Sequence, residues 1–157
     1  MIGRDGNKTD IYEAGKAVNE ELRSFEKVYR QFNSNWLGVC PVYGTNNTSE
    51  DEFYFNKSMD ALANPLELKH LSGLKGFESD EDVIIGYMKD GSGNPGFMVV
   101  NYNDSSWNKK VNAKMNFGDY TQAQVYRKGK KSVVDLKNGI LTLELEVGEG
   151  AFVIPCS

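Results

Sequence analysis

DVIIGYMKDGSGNPGFMVVNYND, residues 82–104, consists of two apolar runs joined by a glycine-rich polar turn, the pattern of a β-hairpin. Successive side chains of a strand point to opposite faces, yet Val83, Ile85 and Tyr87 are apolar and so are Ile84 and Met88. The second run repeats this, with Phe97 and Val99 on one side and Met98, Val100 and Tyr102 on the other. Both faces of the hairpin therefore need cover, which places it in the middle of a layered β domain.

Downstream, Val111, Ala113, Met115 and Phe117 alternate with Asn112, Lys114 and Asn116, as in a strand with one wet face. Segments 123–127 and 132–136 flank a turn at Gly129, with Lys128, Lys130 and Lys131 at its tip. Asn138-Gly139 is a strong turn signal. After it Leu141, Leu143, Leu145 and Val147 point one way while Thr142, Glu144 and Glu146 point the other. GEG at 148–150 leads into Ala151–Ile154, apolar on both sides, and Pro155 ends the run.

Upstream, Ile11, Ala14, Val18, Leu22, Phe25, Val28 or Tyr29, Phe32 and Trp36 recur at intervals of three and four, one stripe of a helix. Asp10 is placed to cap it, Glu13 stands in capping-box position and Gly38 is placed to stop it. A helix over 10–36 would be ~39 Å long at 1.5 Å per residue and needs a large surface to lie on. Leu37–Tyr43 reads as a strand that Pro41 puts at an edge or bulge, 52–57 as another strand, and 59–77 as a loop with short turns. The expected fold is mainly β, an antiparallel two-layer β-sandwich with one long N-terminal amphipathic α-helix packed on the outside of one sheet. Its parts are a polar tail (1–9), the helix (10–36) and the sandwich (37–157), helix and sandwich forming one unit.

The 157 residues fit one domain of ordinary size, and 39% hydrophobic with 25% charged residues is a globular composition. A net charge of −4 with dispersed basic residues argues against nucleic acid as a partner. No run approaches the ~20 apolar residues that span a bilayer, so no membrane partner is expected. The polar start MIGRDGNKTD has no apolar leader core; a complete chain would be cytoplasmic, whereas in a fragment the start says nothing about the parent. Cys40 and Cys156 can pair if their strands are neighbours and otherwise read as free, buried thiols. Two cysteines and one histidine supply no metal framework, and no cofactor is expected.

Candidate sites are sparse. The run Ser79, Asp80, Glu81, Asp82 reads as a solvated turn before a calcium site. Asp90, Ser92 and Asn94 begin like an EF-hand loop of about 12 residues, but its closing acid falls at Asn101. His70 lacks the partners of a triad. A glycosidase needs two carboxylates across a sugar ring, and the acids here, Glu144 and Glu146 among them, lie on solvated faces. Trp107 in NDSSWNKK and Tyr120 in GDYTQ are the candidates for a sugar-stacking platform, the plainer reading being aromatics that close the end of a sandwich core. Sequons begin at Asn7, Asn46, Asn47, Asn56 and Asn103 and matter only where the source glycosylates.

Taken in order, YEAGKAVNEELRSF (12–25), HLSGLKGFESDEDVIIGYMKDGSGNPGFMVVNYND (70–104) and DLKNGILTLELEVGEGAFVIP (135–155) resemble the C-terminal end of bacterial TIM-barrel glycoside hydrolases, the broad group that includes β-galactosidases. The resemblance implies a last barrel helix leading into an all-β accessory domain. It also implies that the catalytic acids lie upstream, so no catalytic residue is assigned in this chain, which contains no barrel. The function expected is that of a non-catalytic accessory domain packing on a catalytic barrel, or self-associating through an apolar patch. The alternative is an independent carbohydrate-binding module using Trp107 and Tyr120.

Overall fold

A computed structural model describes residues 6–40, 72–81, 83–103, 106 and 108–157, with backbone alone over 33–40. Among the described residues a helix, α1 (Asp10–Tyr29), is followed by nine strands. They are β1 (Phe32–Cys40), β2 (Gly76–Ser79), β3 (Val83–Asp90), β4 (Pro95–Asn101), β5 (Val111–Asn116), β6 (Gln122–Arg127), β7 (Lys130–Asp135), β8 (Ile140–Leu145) and β9 (Gly150–Cys156). A six-stranded sheet runs in the order β1-β3-β4-β9-β6-β7 and a three-stranded sheet in the order β2-β5-β8. All pairings among the described residues are antiparallel, and the fold is a two-sheet sandwich with a helix on the larger sheet.

The β3–β4 hairpin pairs Val83 with Asn101 and Lys89 with Pro95, in the interior of the larger sheet. Its two apolar faces are covered differently. Val83, Ile85, Tyr87, Phe97 and Val99, with Ala151, Val153, Ala123 and Val125 from β9 and β6, face the smaller sheet. They meet Val111, Ala113, Met115, Leu141, Leu143 and Leu145 there, closed at one end by Leu74 and Phe117. On the opposite face Met88, Met98, Phe152, Ile154 and Tyr126 pack with Phe25, Val28 and Phe32. β5 and β8 alternate buried and exposed side chains as one-sided strands do.

Four sequence expectations are corrected. The helix ends at Tyr29 rather than Trp36, and Phe32, Trp36 and Gly38 belong to β1, which pairs along β3 from Phe32↔Asp90 to Cys40↔Val83. A spacing of four keeps residues on one side of a helix and of a regular strand alike, so Phe32 and Trp36 do not discriminate; Asn33, Ser34 and Asn35 between them are poor helix formers. The N-cap is Thr9, extended at φ −88° and ψ 163°, whose hydroxyl accepts from the Tyr12 N–H at 3.3 Å. Asp10 is then the first helical residue, where an acid favours the helix dipole. Finally, Gly76 and Phe77 are strand, not loop, because β2 adds to β5 at Phe77↔Met115.

The expected burial of the helix stripe is corrected as well: Ile11, Val18 and Leu22 are 63%, 57% and 53% exposed, and Phe25 is the buried residue of α1. The cause is where the sheet ends. The Glu21 carboxylate accepts from the Lys128 N–H in the β6–β7 turn, and a Cβ on Gly129 would lie 3.9 Å from the Ser24 hydroxyl. The helix thus reaches the tip of that hairpin about midway along its length, and residues 13–20 are exposed beyond it.

Cys40 and Cys156 do not share neighbouring strands, since β3 and β4 lie between β1 and β9. Three inter-strand spacings amount to ~14 Å, twice the ~7 Å limit for a disulfide, and Cys156 is free. The strands expected at 41–43 and 52–57, most of the loop 59–77, and His70 lie outside the described residues.

Candidate functional site

The most distinctive surface is the apolar stripe of α1 where the helix runs past the end of the sheet. Ile11, Val18, Leu22 and Tyr29 form an exposed apolar stripe that runs into the buried cluster at Phe25. Tyr29 packs edge-on against Phe25 and Phe152, with ring centroids 6.0 and 5.5 Å apart, so its inner edge belongs to the core while its outer edge meets water. Charged pairs lie on the other faces of the helix, Lys16 with Glu20 at 3.7 Å and Arg30 with Glu26 at 3.2 Å. These are exposed i,i+4 pairs worth only ~0.3–0.5 kcal/mol each; they solubilise the helix and leave the stripe open. Such a surface performs no bond chemistry. It can bury apolar area against a partner.

Tyr120 is half-buried and packs against the sandwich core. Gly73, at φ +83°, sits beside it: a Cβ there would lie 3.7 Å from the Tyr120 ring and 2.6 Å from Pro95. Trp107 lies outside the described residues. Its neighbours Ser106 and Asn108 belong to the β4–β5 loop, which leaves the sandwich at the end opposite Tyr120. That loop is held by buried Asn101, which donates to the Lys109 and Leu145 carbonyls at 2.9 and 3.3 Å. The Asn101 side-chain oxygen accepts from both the backbone and the amide of Asn103 at 3.0 Å. Asn103, first residue of a sequon, is itself buried.

Of the acids singled out in sequence, Asp82 lies outside the described residues and the others are employed by the fold. Asp80 accepts from the Asn112 N–H and amide, both at 2.7 Å, and Glu81 pairs with Lys109 at 2.9 Å. Asp90 closes the β3–β4 turn by accepting from the Ser92 and Asn94 N–H groups and the Asn94 amide, each at 2.8 Å. Lys110 bridges Glu144 and Glu146 at 3.1 and 2.9 Å on the outer side of the smaller sheet. Among the described residues no group of three or more His, Cys, Asp and Glu is placed to hold a metal ion.

Two of these arrangements set a pH response. The Asn94 amide, then the Asn94 N–H, holds the Asp90 carboxyl below its ordinary 3.8. The hydrogen bond from Lys110 holds Glu146 below 4.5, and Glu146, then Glu144, raises Lys110 above 10.5. A lowered carboxyl stabilises the fold fully above its ordinary value and ceases to do so as pH falls through the lowered one; a raised amine stabilises below its ordinary value and ceases as pH rises through the raised one. We expect carboxyl-carbon NMR titration to place Asp90 and Glu146 below free-peptide values, with Asn94→Ala raising Asp90 only part of the way back, because the N–H groups of residues 94 and 92 still donate to it.

One buried charge network was not anticipated. The Glu149 side chain is 6% exposed and takes Arg127 Nη2 at 2.7 Å and Lys128 Nζ at 3.3 Å. Its second oxygen accepts from the Glu146 N–H at 2.9 Å. With Glu21 on the Lys128 N–H, this ties the helix, the β6–β7 tip and the β8–β9 turn together. The sequence signal was the GEG turn, whose central acid would otherwise face water. No family model matches the chain, and neither a curated protein nor a solved structure matches it.

Proposed function

We propose that this chain is the non-catalytic accessory β-sandwich of a carbohydrate-active enzyme, seated by α1 on a catalytic barrel. The observation that carries this reading is the exposed stripe of Ile11, Val18 and Leu22 on a helix whose other end is anchored in the core. A helix that ended its duties in this sandwich would be polar beyond the hairpin tip. Burying three such side chains is worth ~1.5–3 kcal/mol each, enough to fix a neighbouring domain. The resemblance of segments 12–25, 70–104 and 135–155 to the tails of TIM-barrel glycoside hydrolases names the neighbour.

The coding sequence immediately upstream is expected to continue in frame through a barrel, about 250 residues of alternating strand and helix. In that full-length enzyme, Val18→Asp with Leu22→Asp should lower the melting temperature of the barrel while the isolated sandwich melts as before. An in-frame stop directly before Met1, or a barrel indifferent to both substitutions, overturns the reading. Calorimetric binding of a polysaccharide that is lost in Tyr120→Ala would instead favour the carbohydrate-binding module.

A further inference from the structure

Among the described residues the larger sheet has a free edge whose sequence is complementary to itself. β7 is exposed along its whole length and is the terminal strand of the sheet after β6. The β6–β7 turn is a two-residue loop, Lys128 at φ 48° and Gly129 at φ 70°, so its closing pair Arg127↔Lys130 exchanges backbone hydrogen bonds. Alternation then directs the backbone of Lys130, Ser132 and Val134 toward β6. The next residue of that parity confirms it, since the Leu136 N–H donates to the Thr121 carbonyl at 2.7 Å. The N–H and C=O groups of Lys131, Val133 and Asp135 therefore face outward.

In an antiparallel ladder directly opposed residues are either both hydrogen-bonded or both not. A second β7 approaching about a two-fold axis must then set odd-numbered residues against odd-numbered ones. Of these registers within β7, the one centred on Val133 is the one that matches base to acid, with Val133 against Val133 and Lys131 against Asp135 of the other copy, twice by symmetry. These six side chains share the face that carries the helix, because Lys131 lies over the Tyr126 ring at 5.6 Å and Tyr126 belongs to the helix-side cluster. Val133 at the centre is 55% exposed. Asp135 accepts from the Gln122 amide through Oδ1, which leaves Oδ2 for the facing lysine. The edges of the smaller sheet offer no such match, because β2 and β8 carry an acid, Glu78 and Glu144, and no base.

We infer that β7 is a self-association edge, and that two copies of this chain join through it into one continuous sheet with both helices on the same face. A lysine on an edge strand ordinarily discourages foreign strands; here another β7 answers it with an acid at the right position. The interface does not use the apolar helix stripe and so stands or falls separately from the docking of a barrel.

Sedimentation equilibrium of the chain between about 10 μM and about 1 mM at low salt should show a monomer–dimer equilibrium with Kd on the order of 100 μM, the affinity of a small interface. Lys131→Asp or Asp135→Lys alone sets like charges face to face twice and should weaken dimerisation about tenfold, an effect that shrinks as salt rises. The two substitutions together restore the complement and should recover the wild-type Kd. Amide NMR signals of Lys131, Val133 and Asp135 should move with concentration more than those of Ser132 and Val134. A chain monomeric throughout this range, single variants without effect, a double variant that stays weak, or a dimer abolished by Leu22→Asp would each overturn the assignment.

Discussion

Phe152→Ala should cost about 5 kcal/mol in urea-melt stability, the upper end of the range for deleting a buried aromatic ring. Phe152 is fully buried in β9, and three other rings are organised around it: Phe32 at 5.2 Å, Tyr29 at 5.5 Å and Tyr126 at 6.3 Å between centroids. Gly96 belongs to the same joint. A Cβ there would stand 2.8 Å from Phe32 and 2.9 Å from Phe152, so the strand is thinned to admit the two rings, and a cavity at 152 has no side chain at 96 to fill it. Phe25→Ala removes a ring nearer the rim and should cost about 3 kcal/mol. Leu22→Ala, by contrast, should be neutral within about 0.5 kcal/mol, as exposed positions are. If Phe152→Ala and Leu22→Ala melted alike, the helix would not be packed as described.

Gly139→Ala should destabilise by at least about 3 kcal/mol, for a different reason. Gly139 follows Asn138 in the turn between β7 and β8, the two at φ 74° and φ 55°, and its carbonyl accepts from the Phe117 N–H at 2.8 Å. A Cβ at 139 would fall on the Gly118 carbonyl oxygen and lie 2.8 Å from its carbon, so backbone must move against backbone. Gly148 provides the control: its φ is +68°, and a Cβ there would meet no heavy atom within 4 Å. Gly148→Ala therefore meets only the left-handed penalty of ~1–2 kcal/mol. Equal losses at the two positions would mean that conformation alone, and not the collision, governs residue 139.

How much of this was legible in the sequence depended on whether a pattern had one physical reading. Residues 83–88 and 97–100, short, rich in β-branched and aromatic residues and joined by a glycine-rich turn, read as strands covered twice, and they lie inside the larger sheet under two different covers. The strict alternation of 141–145 likewise fixed a one-sided strand. Thr9 and Asp10, both good caps, stand side by side, and only the backbone angles decide between them. Four residues of β2 beginning at glycine leave too short a pattern to read. The stripe of Ile11, Val18 and Leu22 was visible from its period, but a period says that a face seeks apolar cover without saying whose. Glu149 was unreadable because its partners Arg127 and Lys128 stand some twenty residues away and meet it only when β6 and β9 pair.

The place of β9 also governs when the molecule can be finished. β4 and β6 do not touch each other; β9 lies between them, pairing Phe97 with Val153 on one side and Val125 with Val153 on the other. As the chain emerges from a ribosome, β1-β3-β4 and β6-β7 are two separate ribbons until residues 150–156 have cleared the exit tunnel. Helix α1, made first, has no Phe152 to settle on until then. Long-range pairing of this kind folds slowly and leaves apolar surface open while it waits. A nascent chain stalled short of Gly150 would hold the helix stripe, the helix-facing side of β4 and two unpaired inner edges in solution at once, the species on which a chaperone would be expected to act.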